Sequence, residues 1–122
     1  MNKLKLLNKM NEINFNNKTF SLVENSENGK VNNETIFEYK QIGEIVTADY
    51  HGGTIQYGKI IAILKGSQLN MLYQCITTGN ELKAGKAIAD ISLTENKKIK
   101  LKLNWEWLNN KEEKGVSEYI EN

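Results

Sequence analysis

The 122-residue sequence contains no proline, one cysteine and one histidine. A single cysteine excludes an internal disulfide, and Cys75 and His51 together cannot supply the three or four nitrogen and sulfur ligands of a zinc site. We therefore expect no metal site and no resident cofactor. The absence of proline leaves every residue with a backbone N–H donor, which permits long uninterrupted β-ladders.

An excess of one charge is also missing, because 16 lysines and arginines face 15 aspartates and glutamates. This balance gives no reason to expect a nucleic acid or an anionic membrane as a partner. Near the N-terminus, the apolar patch from Leu4 to Leu7 is too short for a signal peptide. The sequence therefore predicts a cytoplasmic protein with a flexible extension over residues 1–14, Met10 being an alternative start, and one domain over residues 15–122.

The clearest structural signal is a β-hairpin between Thr54 and Thr78. Two runs rich in apolar and β-branched residues flank a polar break at Lys65–Gln68 that contains a glycine. In the second run, every other residue is apolar, which predicts one buried face. That face carries Leu69, Met71, Tyr73 and Cys75. We expect the Cys75 thiol to be buried and unreactive.

Six further segments have the composition or alternation of strands. The most regular is Ile99–Leu108, in which apolar and polar residues alternate strictly. The others are Lys18–Val23, Thr35–Gln41, Ile45–Tyr50, Glu81–Thr94 and Gly115–Glu121. Asn28-Gly29, Ile42-Gly43-Glu44 and His51-Gly52-Gly53 predict loops or turns between them, and Asn109–Lys114 predicts a charged loop.

Eight strands joined by short connections predict an all-β, antiparallel meander. An open sheet with one apolar face would leave two edges exposed, and closure removes both. The sequence thus predicts a single eight-stranded up-and-down barrel, which either fills with side chains or encloses one small ligand. A β-sandwich is the alternative.

Aromatic residues are the main candidates for a binding site. A cluster of them facing the barrel axis would form an apolar wall with hydroxyl and indole donors, as in many small-molecule pockets. The alternative is that these side chains simply fill the core. The candidate ligand-binding residues are Tyr39, Tyr50, Tyr57, Tyr73, Trp105 and Trp107, with Tyr119 in the same aromatic set.

The charged residues within strands give a weaker signal. Glycines next to Lys59 and Lys86 could allow a bulge or a sharp bend, and both lysines are expected to face solvent unless one points inward towards an acidic ligand. A pair of strand carboxylates in one interior could act as acid and base, but solvent exposure is the simpler interpretation. These carboxylates are Glu38, Asp49, Asp90, Glu106 and Glu118. No catalytic residue can be named from spacing, and His51 is expected in an exposed turn.

From about Asn14 onward the sequence resembles a family of small bacterial proteins. The resemblance is carried by NFNNKTFSLVENSENGKVNNETIFEYKQ, IVTADYHGGTIQYGKIIAIL, MLYQCITTGNELKAGKAIADISL, LNWEW and GVSEYIE. Members are grouped with avidin-like or calycin-like barrels, and some carry the name N-acetylglutamate synthase. The resemblance implies a barrel that binds a small molecule, and it assigns no catalytic residue.

Three functions are compatible with these observations. The first is binding of a small, partly apolar molecule, and the second is an interaction or structural module with a filled barrel. The third is an enzyme, including the acetyl transfer that the family name implies. Acetyltransferases commonly bind coenzyme A phosphates at a helix N-terminus, and the sequence predicts no such helix, so binding is favoured. Apolar residues such as Leu72 and Ile76 on an outer face make a homo-oligomer a further expectation.

Overall fold

The computed structural model describes residues 13–26, 31–108 and 113–122. Eight β-strands account for most of these residues, and within them no helix is both long and apolar enough to cross a membrane. The strands are β1 (Lys18–Asn25), β2 (Ile36–Ile42), β3 (Ile45–Gly52), β4 (Ile55–Lys65), β5 (Gln68–Thr77), β6 (Leu82–Leu93), β7 (Ile99–Trp107) and β8 (Lys114–Glu121).

The strands form one closed antiparallel barrel in sequence order. Closure is made by β1 and β8, where Leu22 lies opposite Tyr119 and Phe20 opposite Glu121. The predicted up-and-down barrel is therefore confirmed. The alternative of a β-sandwich is wrong, because the eight strands share one continuous sheet without free edges.

Alternation along each strand separates the interior from the outer surface. In β7 all five residues of the predicted apolar stripe are buried, as expected: Ile99, Leu101, Leu103, Trp105 and Trp107. In β5 the predicted inner face is likewise directed inward, whereas Leu72 and Ile76 are exposed. The period-two pattern therefore predicted correctly which side chains of these strands form the core.

Several connections also follow the sequence signals. Gly43, Gly53 and Gly66 each have a positive φ near 60° in the turns β2–β3, β3–β4 and β4–β5. Such a backbone conformation favours glycine, because a side chain there is strained. The predicted Asn28-Gly29 turn and most of the predicted extension over residues 1–14 lie outside the described residues. β8 begins at Lys114, one residue before the predicted strand and within the predicted loop, because Lys114 pairs with Glu106 of β7.

One end of the barrel, which we call the sealed end, is closed by aromatic packing. Phe15 precedes β1 and is fully buried against Phe20 and Tyr39, with ring centroids 5.8 and 5.5 Å away. Ile13 is also buried. The Phe15 N–H donates a hydrogen bond of 2.9 Å to the Gln41 side chain, which fixes the segment over the barrel. Residues before the first strand thus fill this end of the core.

Candidate functional site

The opposite end of the barrel, the open end, contains a cavity of about 50 Å³ that is partly open to solvent. Its walls are almost entirely apolar. A cavity of this volume has room for one or two water molecules. The residues around it are Asn25, Val31, Phe37, Tyr50, Ile55, Ile60, Met71, Tyr73, Cys75, Leu103, Trp105, Trp107, Ser117 and Tyr119.

The aromatic wall of the cavity depends on glycines in the neighbouring strands. Gly58 lies directly opposite Tyr50, and Gly85 directly opposite Tyr73. A Cβ added at Gly58 would lie 2.3 Å from Cζ of Tyr50, and one at Gly85 would lie 2.5 Å from Cζ of Tyr73. Each ring therefore packs directly on the backbone of a glycine, where any other residue would place a Cβ atom in the space of the ring. The glycines predicted beside Lys59 and Lys86 thus make room for aromatic rings, and at β4 a bulge lies immediately before Gly58.

Two of the three tyrosines at the cavity, Tyr50 and Tyr73, have long hydrogen bonds from their hydroxyls to backbone carbonyls. The Tyr50 hydroxyl donates to the Gln74 carbonyl at 3.3 Å, and the Tyr73 hydroxyl donates to the Glu106 carbonyl at 3.5 Å. The usual O–H···O distance is about 2.5–3.0 Å. Burial raises the pKa of both phenols above the ordinary value, so they remain protonated at neutral pH. Both can therefore act as donors towards a bound molecule.

The two tryptophans differ in how their indole N–H groups are satisfied. Nε1–H of Trp105 donates to Oγ of Ser117 at 2.8 Å, and Ser117 in turn contacts the side chain of Asn25. Nε1–H of Trp107 is buried and has no acceptor in the described part of the chain. The Trp107 ring packs edge-on against Tyr73, with centroids 5.6 Å apart. An unmade hydrogen bond at a buried donor is uncommon and costs stability.

Cys75 and Lys83 lie opposite each other where β5 and β6 approach the mouth. Burial raises the pKa of the Cys75 thiol, although a hydrogen bond with Tyr50 and the positive charge of Lys83 act in the other direction. The thiol is therefore protonated at neutral pH and a poor nucleophile, as expected for a buried cysteine. Nζ of Lys83 lies 4.9 Å from the ring centroid of Trp107.

Four of the six predicted ligand-binding residues meet at the cavity: Tyr50, Tyr73, Trp105 and Trp107. Tyr39 is buried, but it packs against Phe15 and Phe20 at the sealed end. Tyr57 is 50% exposed on the outer surface. The expectation that Tyr57 faces the barrel axis is wrong, because the bulge between Ile55 and Tyr57 places two consecutive side chains outward and leaves Gly58 facing inward.

The charged strand residues lie on the outer surface, as their simpler interpretation predicted. Lys59 pairs with Asp49 at 3.3 Å, and Lys86 pairs with Glu106 at 3.1 Å. His51 is exposed, with Nε2 3.7 Å from a carboxylate oxygen of Glu38. The structure therefore does not bring these carboxylates together inside the barrel, and the alternative of an inward-facing Lys59 or Lys86 is wrong.

Other residues of the cavity received no binding role from the sequence. Met71 and Cys75 share the inner face of β5 with Tyr73, and Phe37 lies two residues before Tyr39 on β2. Alternation predicted that Met71 and Cys75 are buried, and it could have assigned Phe37 to the interior in the same way. It could not say at which end of the barrel they lie, because that depends on the register between strands.

Comparison with known proteins agrees with this geometry. The family model described as "Avidin-like protein" matches residues 13–122. The chain belongs to the avidin-like family. Both the closed eight-stranded barrel and the cavity at one of its ends are compatible with this assignment. No curated protein and no solved structure gives a significant match.

Proposed function

We propose that this avidin-like barrel binds a small, largely apolar molecule at its open end. The observation that carries the proposal is the difference in filling between the two ends, since the sealed end is filled by Phe15 and the open end retains a cavity. The cavity is concave and apolar and has a few polar donors in its walls, which is the usual composition of a small-molecule site.

The size of the cavity limits how a ligand binds. About 50 Å³ is smaller than the roughly 150 Å³ of an engineered cavity that accepts benzene. Two features allow more space to form: the mouth is open, and Met71 has an unbranched, adaptable side chain at the cavity wall. We expect a ligand to insert one end into the cavity and to displace Met71 as it enters.

The first experiment is paired native and denaturing mass spectrometry of the purified full chain. A native mass that exceeds the covalent mass by one discrete increment would support the proposal and give the mass of the ligand. Quenching of tryptophan fluorescence by small apolar probes is the second measurement, because Trp105 and Trp107 both line the cavity. A bare mass together with unchanged fluorescence would contradict the proposal.

A pair of leucine substitutions on β5 tests the location of binding. Cys75→Leu adds bulk inside the cavity, whereas Gln74→Leu adds the same side chain on the exposed outer face. We expect probe binding to be lost in Cys75→Leu and kept in Gln74→Leu. Equal binding by both variants would place the site elsewhere.

The outer surface supports a second candidate function, self-association. Ile63 and Ile88 flank Asn70 across β4, β5 and β6, and Val116 pairs with Asn104 further round the barrel. The five aliphatic or amide side chains in this row carry no charge, and Ile63 and Ile88 are exposed. An uncharged row can face its own copy without repulsion between like charges. We therefore propose a second copy of the chain as the partner for this surface.

Sedimentation analysis with matched lysine variants tests the second candidate. Ile88→Lys places a charge in the uncharged row, whereas Leu82→Lys places one outside it, at the start of β6 and at a residue that is 73% exposed. We expect a dimer or larger assembly for the native chain and for Leu82→Lys, and a monomer for Ile88→Lys. A monomeric native chain would contradict self-association without affecting the proposal for the cavity.

A further inference from the structure

The hydrogen-bond donor of Trp107 gives information about the chemistry of the ligand. Trp107 lines the cavity, is only 6% exposed, and its Nε1–H has no acceptor among the described residues. Its neighbour Trp105 shows the usual arrangement, a donor satisfied by Ser117 at 2.8 Å. Burying a polar group without a partner is costly, so an unsatisfied donor at a binding cavity indicates an acceptor on what binds there.

The charge near this donor favours a negatively charged acceptor. Nζ of half-buried Lys83 lies 4.9 Å from the Trp107 ring, and Lys83 pairs across the sheet with Cys75 of the cavity wall. The strand lysines Lys59 and Lys86 have carboxylate partners, but Lys83 has none within the described ranges. Glu81, the acidic residue nearest in sequence, is exposed. A hydrogen bond to a charged oxygen is stronger than one to a neutral oxygen.

We infer that the ligand is an apolar molecule with one carboxylate group, an inference that rests on the proposed binding function. A carboxylate oxygen accepts the hydrogen bond of Trp107 Nε1–H and faces the ammonium group of Lys83, while the apolar body occupies the cavity beside Met71 and Tyr73. The carboxylate thus supplies the missing acceptor of the indole and the missing counter-charge of the lysine together.

Proton–nitrogen NMR spectra of the full chain test this inference with three probes of similar shape: cyclopentanecarboxylate, cyclopentanone and methylcyclopentane. The chain has two tryptophans and therefore two indole N–H signals, which Trp107→Phe assigns. We expect the Trp107 indole proton to move downfield with the two oxygen-bearing probes and not with the hydrocarbon. The Trp105 signal, whose proton is already bonded to Ser117, is expected not to distinguish the probes.

Dissociation constants from the same titrations complete the test. We expect the carboxylate to bind about tenfold more tightly than the hydrocarbon, and Trp107→Phe to bring the two constants together. Lys83→Met is expected to abolish the preference for carboxylate over ketone, whereas Lys86→Met, which removes an outer lysine paired with Glu106, is expected to retain it.

The outcomes separate the inference from the function on which it rests. If all three probes bind equally and the Trp107 signal does not respond to oxygen, the inference is overturned and the binding function stands. If none of the probes binds, both are overturned. A preference for the carboxylate that persists in both Trp107→Phe and Lys83→Met would also overturn the inference, because another group would then be the receptor.

Discussion

The two ends of the barrel are built from the same alternating strands, yet they are filled differently. At the sealed end, Phe15 enters from outside the strand pattern and stacks with Phe20 and Tyr39, so no aromatic surface is left open. At the open end, Phe37, Tyr50 and Tyr119 also pack ring against ring, but they enclose a cavity. The filling of the sealed end therefore comes from a segment before β1 and not from the strand pattern itself.

The largest expected effect comes from truncating one phenylalanine at each end. Phe15→Ala removes a fully buried ring, and we expect it to lower the free energy of unfolding by about 3–5 kcal/mol in chemical denaturation. Phe37→Ala enlarges a cavity that already exists. We expect it to cost less stability than Phe15→Ala and to increase the affinity for apolar probes. A Phe15→Ala variant that gained the same affinity would show that the ends are equivalent.

A smaller loss is expected from Gly58→Ala at the open end. The added methyl group would lie 2.3 Å from Tyr50 Cζ, so the ring has to move, and the cavity is the space available to it. We expect a loss of about 1–3 kcal/mol in unfolding free energy and weaker probe binding. Gly66→Ala is the control, because its Cβ would meet no atom within 4 Å and so would crowd no ring. Its φ of 59° makes the alanine strained, so we expect this variant to lose stability but to keep probe binding. Unchanged probe binding by Gly58→Ala would contradict this role of the glycine.

The sequence predicts the barrel well because the signal for a buried face is local. In β7, for example, each inward residue can be identified from its own strand. The outward position of Tyr57 was not predicted, although the glycine beside Lys59 indicated a possible bulge. The bulge shifts the alternation by one residue, and a glycine alone does not show that a bulge forms, since the glycine beside Lys86 lies in a regular ladder. The same limit applies to Phe15, which closes the sealed end without belonging to any strand.

The candidate site was predicted only in part, because contacts between neighbouring strands cannot be read from the sequence of one strand. Four of its aromatic residues follow from composition and alternation, but the contrast between Trp105 and Trp107 does not. Both lie on the same face of β7, and only the register with β8 places Ser117 within reach of one indole and not of the other. Hydrogen-bond satisfaction depends on the neighbouring strand, so the sequence of one strand cannot show it.

The contribution of the Trp105 hydrogen bond to stability can be measured by making the same substitution at both tryptophans, since the change in side-chain volume is then equal. Trp105→Phe and Trp107→Phe each replace an indole with a phenyl ring, but only the first removes a hydrogen bond, to Ser117. The second removes an unsatisfied buried donor. We expect Trp105→Phe to lose about 1–2 kcal/mol more unfolding free energy than Trp107→Phe, as measured by urea denaturation without ligand. Equal losses would indicate that the Trp107 donor is satisfied in solution, for example by water.

The smallest expected effect concerns Glu121, which joins three strands at the sealed end. Its carboxylate accepts the Ile99 N–H at 2.9 Å and pairs with Lys18 at 3.1 Å. Burial raises the pKa of Glu121, but these two interactions outweigh burial, so the net pKa lies below the ordinary value. A lowered pKa in the folded state stabilises the protein above the ordinary glutamate pKa of about 4.3, and this contribution is lost as the pH falls through the folded-state pKa.

Glu121→Gln should therefore lower the free energy of unfolding by a few tenths to about 1 kcal/mol at pH 7. The difference in unfolding free energy between this variant and the native chain should shrink as the pH falls below about 4. Urea denaturation at pH 7 and pH 3 measures both values. Glu118→Gln is the matched control, because Glu118 is a neighbouring acidic residue of β8 that pairs with Lys100 but accepts no backbone hydrogen bond among those described. If the two variants behave alike, the bond to Ile99 contributes nothing measurable, and the sealed end depends on aromatic packing alone.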